Sequence, residues 1–278
     1  MNETITIHQH ASGETGIFAN AYLVESKAGV VAVDATLTNS ESKSFRARLD
    51  QLNKPLLAVL ITHPHPDHVA GITQLVENRE VPILALESVE RLMRTFEEPK
   101  RAQWGPVYGD EWVQHWTYPN RLLQDNDSVV FDGITYRIHD LGAGGDCDAN
   151  SIWVIETGSK AAFIGDLVFD GTHSYIADGH CGDWLANLDR AESLLTGATL
   201  YPGHGAPGSL ALLQKQRDYL LTYRASVQRL AKGKPTLTDA EKAELTQVMQ
   251  RYAQGAGLSF LIAHSADAVA AELANHKS

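Results

Sequence analysis

Residues 4–8 alternate apolar and polar positions, and residues 21–25 (AYLVE) and 30–34 (VVAVD) are short apolar runs. Alternation and short β-branched runs predict strands, and the turn residues at 27–29 join the second and third as a hairpin. The period then changes. Phe45, Leu49 and Leu52 fall three or four positions apart, which predicts a helix over 40–52. A continuous apolar run at 56–61 (LLAVLI) reads as a buried strand, and beyond it a helix is expected over 69–78 and a strand over 82–86. The succession strand, helix, strand is that of an α/β fold.

Residues 88–127 interrupt this pattern with Trp104, Tyr108, Trp112, Trp116 and Tyr118 among glycine, proline and charge. Such a helical aromatic insertion either covers a pocket and shapes its specificity or packs a small core of its own. His115 within it reads as structural or exposed. Strands resume at 128–131, 134–139, 151–156, 161–164 and 200–205. Amphipathic spacing predicts helices over 184–195 and 210–230. A further helix starts after Thr238, which forms a capping-box pattern with Glu241. Gly255 and Gly257 break that helix, and another is expected over 258–273. With no repeat and no low-complexity linker, residues 1–278 are expected to form one domain. Its helical C-terminal part, 209–278, either packs on the core or makes a homodimer contact.

Composition narrows the function. A chain of 278 residues, 44% of them hydrophobic, supports a sizeable core. No apolar run approaches the ~20 residues of a membrane span, and the polar start carries no basic-plus-apolar leader. A cytoplasmic protein without membrane partners is therefore expected. Cys147 and Cys181 make no disulfide framework. A net charge of −11 without a Lys/Arg cluster argues against a nucleic-acid partner.

The candidate chemistry is concentrated in residues 62–71, THPHPDHVAG, where His63, His65, Asp67 and His68 stand together. Imidazole and carboxylate are ligands for borderline to hard divalent metals. Pro64 and Pro66 are expected to exclude a regular helix or a central strand just after the 56–61 run. The side chains then sit on a stiff loop at the C-terminal edge of a sheet, where α/β folds place ligand sites. In an extended loop His63 and His65 point the same way, while Asp67 and His68 turn inward at the start of the next helix. One segment could thus serve two metals. Asn20 and Asp34 read as a turn residue and a strand-end carboxylate.

THPHPDHVAG resembles the HxHxDH signature of the metallo-β-lactamase-fold hydrolase superfamily. The resemblance implies an αββα sandwich of two mixed β-sheets flanked by helices, with the metal site at one edge. Residues 165–169 (GDLVF) are similar to the family segment whose aspartate bridges two metals, which implies that role for Asp166. Residues 200–205 (LYPGHG) resemble the segment of the last metal histidine, here His204. One departure stands out. The family turn that usually supplies a further histidine reads LGAGGDCDANS at 141–151 and has none. Asp146 is best placed to substitute; Asp148, Cys147, His139 and no protein ligand at all are the alternatives. Gly142, Gly144 and Gly145 suit a tight turn there.

The family implies Zn2+, one or two ions. A carboxylate at the altered position adds charge and a harder donor, which favours Fe2+ or Mn2+. His173 and Tyr175 follow the bridging aspartate and are expected to border the pocket and bind substrate; His180 and Cys181 are expected to play no part. The implied reaction is attack of metal-bound hydroxide on an ester, thioester, lactone or amide-like carbonyl of a small molecule. Asp67 would orient the nucleophile as well as bind metal. The alternatives are an iron-dependent redox enzyme of the same fold and a metal-binding member without catalysis.

Overall fold

The structure is a computed structural model that describes residues 5–77, 79–158 and 160–275. Thr4, which begins the first predicted strand, and Asn78, which ends the helix predicted over 69–78, lie outside the described residues. The chain forms two compact units, Met1–Asp140 with Ser151–Gly165, and Leu141–Asn150 with Asp166–Ser278.

The first unit holds a six-stranded sheet in chain order: β1 (Thr6–Ala11), β2 (Asn20–Glu25), β3 (Val30–Val33), β4 (Leu56–Leu60), β5 (Ile83–Leu86) and β6 (Arg121–Leu123). β1, β2 and β3 pair antiparallel, and β3 through β6 pair parallel. The β2–β3 turn closes as expected, with Ser26 N donating to Gly29 O at 2.9 Å. α1 (Asn39–Gln51) connects β3 to β4, capped by the Thr38 hydroxyl and burying Phe45 and Leu49.

Between β4 and β5 the structure differs from the expected single helix. Two separate turns form instead, α2 (Pro66–Val69) and α3 (Ile72–Leu75). Pro66 occupies the first turn of α2, where its missing N–H has no helical partner to lose. The proline expected to exclude a helix thus starts one. The aromatic insertion divides as well. Most of it is α4 (Glu87–Tyr108), while β6 adds a strand to the sheet edge. Trp112 and Trp116 are buried, and Glu97 accepts from Trp116 N and the Tyr118 hydroxyl. That half is also tied to the rest of the unit, with Trp112 bridging to Thr38 and the Thr73 hydroxyl donating to His115 O at 2.9 Å; Trp104 and Tyr108 stay half-buried, and His115 is exposed.

The second sheet has the order β11–β10–β9–β8–β7, with β7 (Ser128–Phe131), β8 (Ile134–Gly142), β9 (Asn150–Ile155), β10 (Ala161–Phe169) and β11 (Thr199–His204). Ile134, Tyr136 and Ile138 alternate inward along β8. β9 and β10 are buried along their whole length, as continuous apolar runs require. Within the first unit Trp153 Nε1 donates to Ile61 O at 2.9 Å, so β9 is keyed to the end of β4. β10 does not end before Asp166, as its sequence suggests, but runs through it. Gly165 makes this passage: its φ is +48°, and a Cβ there would stand 2.7 Å from Thr62 Oγ1.

In the second unit α5 (Cys181–Leu194) precedes β11, and α6 (Ala211–Ala231) packs against α5, α7 (Asp239–Tyr252) and α9 (Ala266–Asn275). The helix expected over 258–273 is interrupted. α8 (Phe260–His264) and α9 are separated at Ser265, whose buried hydroxyl accepts from Ile176 N at 3.0 Å. Among the described residues no helix is long and apolar enough to cross a membrane.

The Thr238–Glu241 capping box of α7 is present in both directions. Thr238→Ala is expected to lower stability by about 1 kcal/mol. Gly165→Ala combines left-handed strain with a close contact and is expected to cost more, about 2–3 kcal/mol. Urea unfolding midpoints of the two variants check the order.

Candidate metal centre

The donor loop of the first unit is clamped before it is chemical. β4 hands the chain to Ile61 and Thr62, while β3 hands it to Asp34, which takes the left-handed region at φ +56°. Aspartate is among the few side chains that enter that region readily. The Asp34 carboxylate accepts from Thr62 N (2.8 Å) and the Thr62 hydroxyl (2.7 Å), and lies 3.2 Å from His68 Nδ1. Ala35 N donates to His68 O and Gly71 N to Thr36 O, each at 2.8 Å. Ser151 N and Oγ hold Thr62 O from β9, at 2.9 and 2.7 Å.

These contacts set the protons. The Thr62 hydroxyl gives its hydrogen to Asp34, so at 2.9 Å from His63 Nδ1 it accepts. His63 therefore carries its proton on Nδ1 and keeps a lone pair at Nε2. His68 Nδ1 likewise donates to Asp34, which leaves its Nε2 as the metal-binding atom. That Nε2 stands 3.2 Å from Asp67 Oδ2. Two acceptors at this spacing are held by a shared cation, a proton or a metal ion. The His63 ring centroid lies 5.3 Å from that of His65 and 4.3 Å from that of His68. All four side chains of the motif are buried. Asp34, His63 and His68 can each offer an atom within 4.8 Å of the others. A buried set of imidazoles and carboxylates with lone pairs fixed by neighbouring bonds fits a divalent metal.

The second unit supplies its own buried donors. Asp166 lies in β10 and His204 ends β11, with His204 Nε2 3.3 Å from Asp166 Oδ2. Phe169 stacks on the His204 ring at 4.6 Å and 11°. Gly205, at φ +104°, turns the chain where a Cβ would meet Asp170 O at 2.4 Å. Asp146 is buried on the 141–150 loop, whereas Asp148 is exposed and pairs with His180 at 2.5 Å. Burial and the neighbouring Asp146 charge push the Cys147 thiol well up, and its Sγ donates to Ala149 O at 3.4 Å. His139 is buried in β8 of the first unit. The loop that carries Asp146 is staked by Asn187 of α5, whose Nδ2 meets Leu141 O, Ala143 O and Gly144 O at 2.8, 3.0 and 2.8 Å. Asn150 Nδ2 holds Cys147 O at 2.8 Å.

His173 is fully enclosed; its Nδ1 lies 2.9 Å from the Tyr219 hydroxyl, and burial lowers its pKa. Tyr175 is half-buried and donates to Asp178 at 3.0 Å. Burial first, then the Asp178 charge, raises its pKa. The positioning residues Asp34 and Asn187 carry no motif. Asp34 reads as a strand end, and Asn187 is visible only as a polar residue on the apolar face of a helix.

Asp34→Asn keeps a side chain that tolerates the left-handed region but removes the carboxylate. Zinc affinity, read by competition with a chromophoric chelator, is expected to fall about 10- to 100-fold with the far-UV spectrum unchanged. Unaltered affinity would mean that Asp34 holds only the backbone.

The sequence pattern of the Metallo-beta-lactamase superfamily matches residues 15–204. The chain is 26% identical over 207 residues to a Beta-lactamase-like protein 2 homolog of Caenorhabditis elegans, covering 72% of this chain and 60% of that protein. It is also 26% identical over 196 residues to a Hydroxyacylglutathione hydrolase of Shewanella halifaxensis, covering 68% and 65%. The chain therefore spans less than two thirds of the length of these curated relatives. A metallo-beta-lactamase family protein from Thermus thermophilus superposes with a TM-score of 0.71 at 19% identity, over 98% of this chain and 93% of that one. A family pattern that runs from ahead of β2 to the end of β11, on a fold shared over nearly the whole chain, places this protein in the metallo-beta-lactamase superfamily and implies a metal cofactor.

Proposed function

We propose that this protein is a metal-dependent hydrolase of small-molecule esters or thioesters, working in the cytoplasm. The observation that carries the reading is the buried motif loop, with the lone pairs of His63 and His68 fixed by Thr62 and Asp34. We assign His63, His65, Asp67, His68, Asp146, Asp166 and His204 as the residues that would hold one or two metal ions, on the matches of their segments to the family motifs. Asp146 takes the place of the usual histidine because it is buried, while Asp148 is exposed and paired with His180. Zinc is the expected ion, with iron or manganese favoured more by the Asp146 carboxylate than by a histidine.

A bound divalent ion supplies Lewis acidity toward a carbonyl and makes a neighbouring water more acidic. The protein's own residues do the rest. Asp34 and Thr62 hold the His63 and His68 rings so that the tautomers cannot exchange without breaking bonds to a buried carboxylate. Asp67, at the start of α2 and beside His68, accepts a proton from the attacking water and orients it. Burial of the donors excludes bulk water and strengthens their electrostatic interactions. Tyr175, half-buried and protonated, is the proposed substrate-side donor of the second unit. His173, fully enclosed with Tyr219, supports the segment that carries it. A relative named Hydroxyacylglutathione hydrolase points to acyl thioesters as the first substrates to try.

The zinc-loaded protein is expected to hydrolyse hydroxyacylglutathione or a simpler acyl thioester. Chelator should abolish the activity and added zinc restore it. Asp67→Asn should lower kcat by about a hundredfold or more. Turnover that survives complete metal removal would overturn the reading.

A further inference from the structure

We infer that Tyr108, the last residue of α4, is a further catalytic residue: its hydroxyl donates a hydrogen bond to the oxygen of the substrate carbonyl as that oxygen becomes an anion. The inference rests on the proposed hydrolase reading and deepens it.

The placement of Tyr108 is fixed from two sides. α4 runs beside the motif loop of its own unit, where Phe96 stacks on the His65 ring at 6.0 Å and 24°. Beyond Tyr108 the helix stops. Gly109, at φ +54°, takes the chain into the exposed turn 109–111, and that turn is pinned to the start of α1. Asn39 Nδ2 donates to Asp110 O at 2.7 Å, and the Glu111 carboxylate accepts from Ser40 N at 2.8 Å. Trp112 bridges to Thr38 and sets its buried ring 6.1 Å from that of Tyr108. Residues 38–40 follow closely on Thr36, whose carbonyl holds Gly71 N at the end of the motif loop. One crossover thus fixes both the motif loop and the end of α4. Asp110 and Glu111 are themselves exposed, so these anchors bury little; what they fix is the direction in which α4 ends.

The chemistry lies in the hydroxyl. Tyr108 is half-buried and, among the described residues, its hydroxyl has no hydrogen-bond partner. Tyr118, in the same insertion, gives its hydrogen to Glu97 instead. Burial first, then the Asp67 charge, pushes the Tyr108 phenol up to about 12, so it keeps its proton at neutral pH. The same coupling puts the phenol within electrostatic reach of Asp67, the residue proposed to orient the attacking water. Helical side chains lean toward the N-terminal end of their helix, which returns the ring from the end of α4 toward Phe96 and the motif loop. A carbonyl presented to water at Asp67 then has a neutral donor at hand. Its hydrogen bond strengthens as the oxygen gains charge in the tetrahedral state, and a donor fixed beforehand needs no reorganisation. The proton stays on Tyr108 throughout; the phenol stabilises the anion and transfers nothing.

The test compares the zinc-loaded protein with Tyr108→Phe, which keeps the ring against Trp112 and removes only the hydroxyl. The first readout is the calorimetric affinity for methylphenylphosphinate, a tetrahedral anion. It is expected to fall about tenfold or more, with zinc content and thermal midpoint unchanged. The second is hydrolysis of a benzoyl thioester, where kcat should fall about a hundredfold with little change in KM. If Tyr108 only packs on Trp112, Tyr108→Phe will leave the phosphinate affinity and kcat intact, which overturns the inference. A raised KM at constant kcat also overturns it, because the hydroxyl would then serve the ground state. So does a natural sequence that does not bind the phosphinate. Phosphinate binding that depends on Tyr108, without any turnover, would sink the hydrolase reading and leave the hydroxyl as an anion donor. Turnover that Tyr108→Phe leaves intact would sink the donor alone.

Discussion

One buried carboxylate sets the geometry on which the motif loop depends. Asp34 leaves β3 in a left-handed turn and binds Thr62 through both backbone and hydroxyl, and His68 through Nδ1. Around it the backbone of residues 34–36 takes hydrogen bonds to Leu60, His68 and Gly71. The crossover from β3 and the loop after β4 are thereby held as one piece. Hydrogen bonds of this kind, between a charged acceptor and buried donors, are among the stronger ones in proteins. The imidazoles do not hang from a free loop; their orientation and tautomers are consequences of the parallel pairing of β3 with β4.

The second constraint is the burial of charge. Asp67 in the first unit and Asp146 and Asp166 in the second are all nearly inaccessible. Carboxylates removed from water are costly unless a cation or several donors compensate. Each unit places imidazole nitrogen beside carboxylate oxygen, His68 with Asp67 and His204 with Asp166. That arrangement suits a divalent ion better than it suits an empty pocket. Asp146, buried in the second unit, is a further carboxylate that needs such compensation.

Much of this was legible in the sequence because periodicity and motif act locally. The alternation of 134–138, the run at 56–61 and the capping box at Thr238 each became the predicted element. Other features depend on contacts that no local pattern encodes. Gly165 leaves room for Thr62 to lie against β10, a long-range contact that a Cβ there would obstruct. At the break the Ser265 hydroxyl accepts from a distant amide, Ile176 N, a contact that the unchanged apolar spacing does not encode. Pro66 was misleading for a different reason: a proline that ends one element and a proline that opens a helix look alike until the first turn is placed. Asp34 was singled out but read as a strand-end carboxylate, and Asn187 was missed, because their partners are carbonyls, amides and a ring brought near by the fold. The preference for Asp146 over Asp148 was made from the sequence; the difference in their burial, and the pairing of Asp148 with His180, were not visible there.

The central claim is that the buried motif carboxylates and imidazoles hold metal, and the proposal includes Asp146 among them. Metal equivalents per chain, measured by elemental analysis on protein produced without added metal, test it most directly when the same count is made on Asp146→Ala. Two equivalents in the natural sequence, falling to one in the variant with its fold retained, is the predicted result. Two equivalents in both would remove Asp146 from the site, and no metal in the natural sequence would contradict the account as a whole.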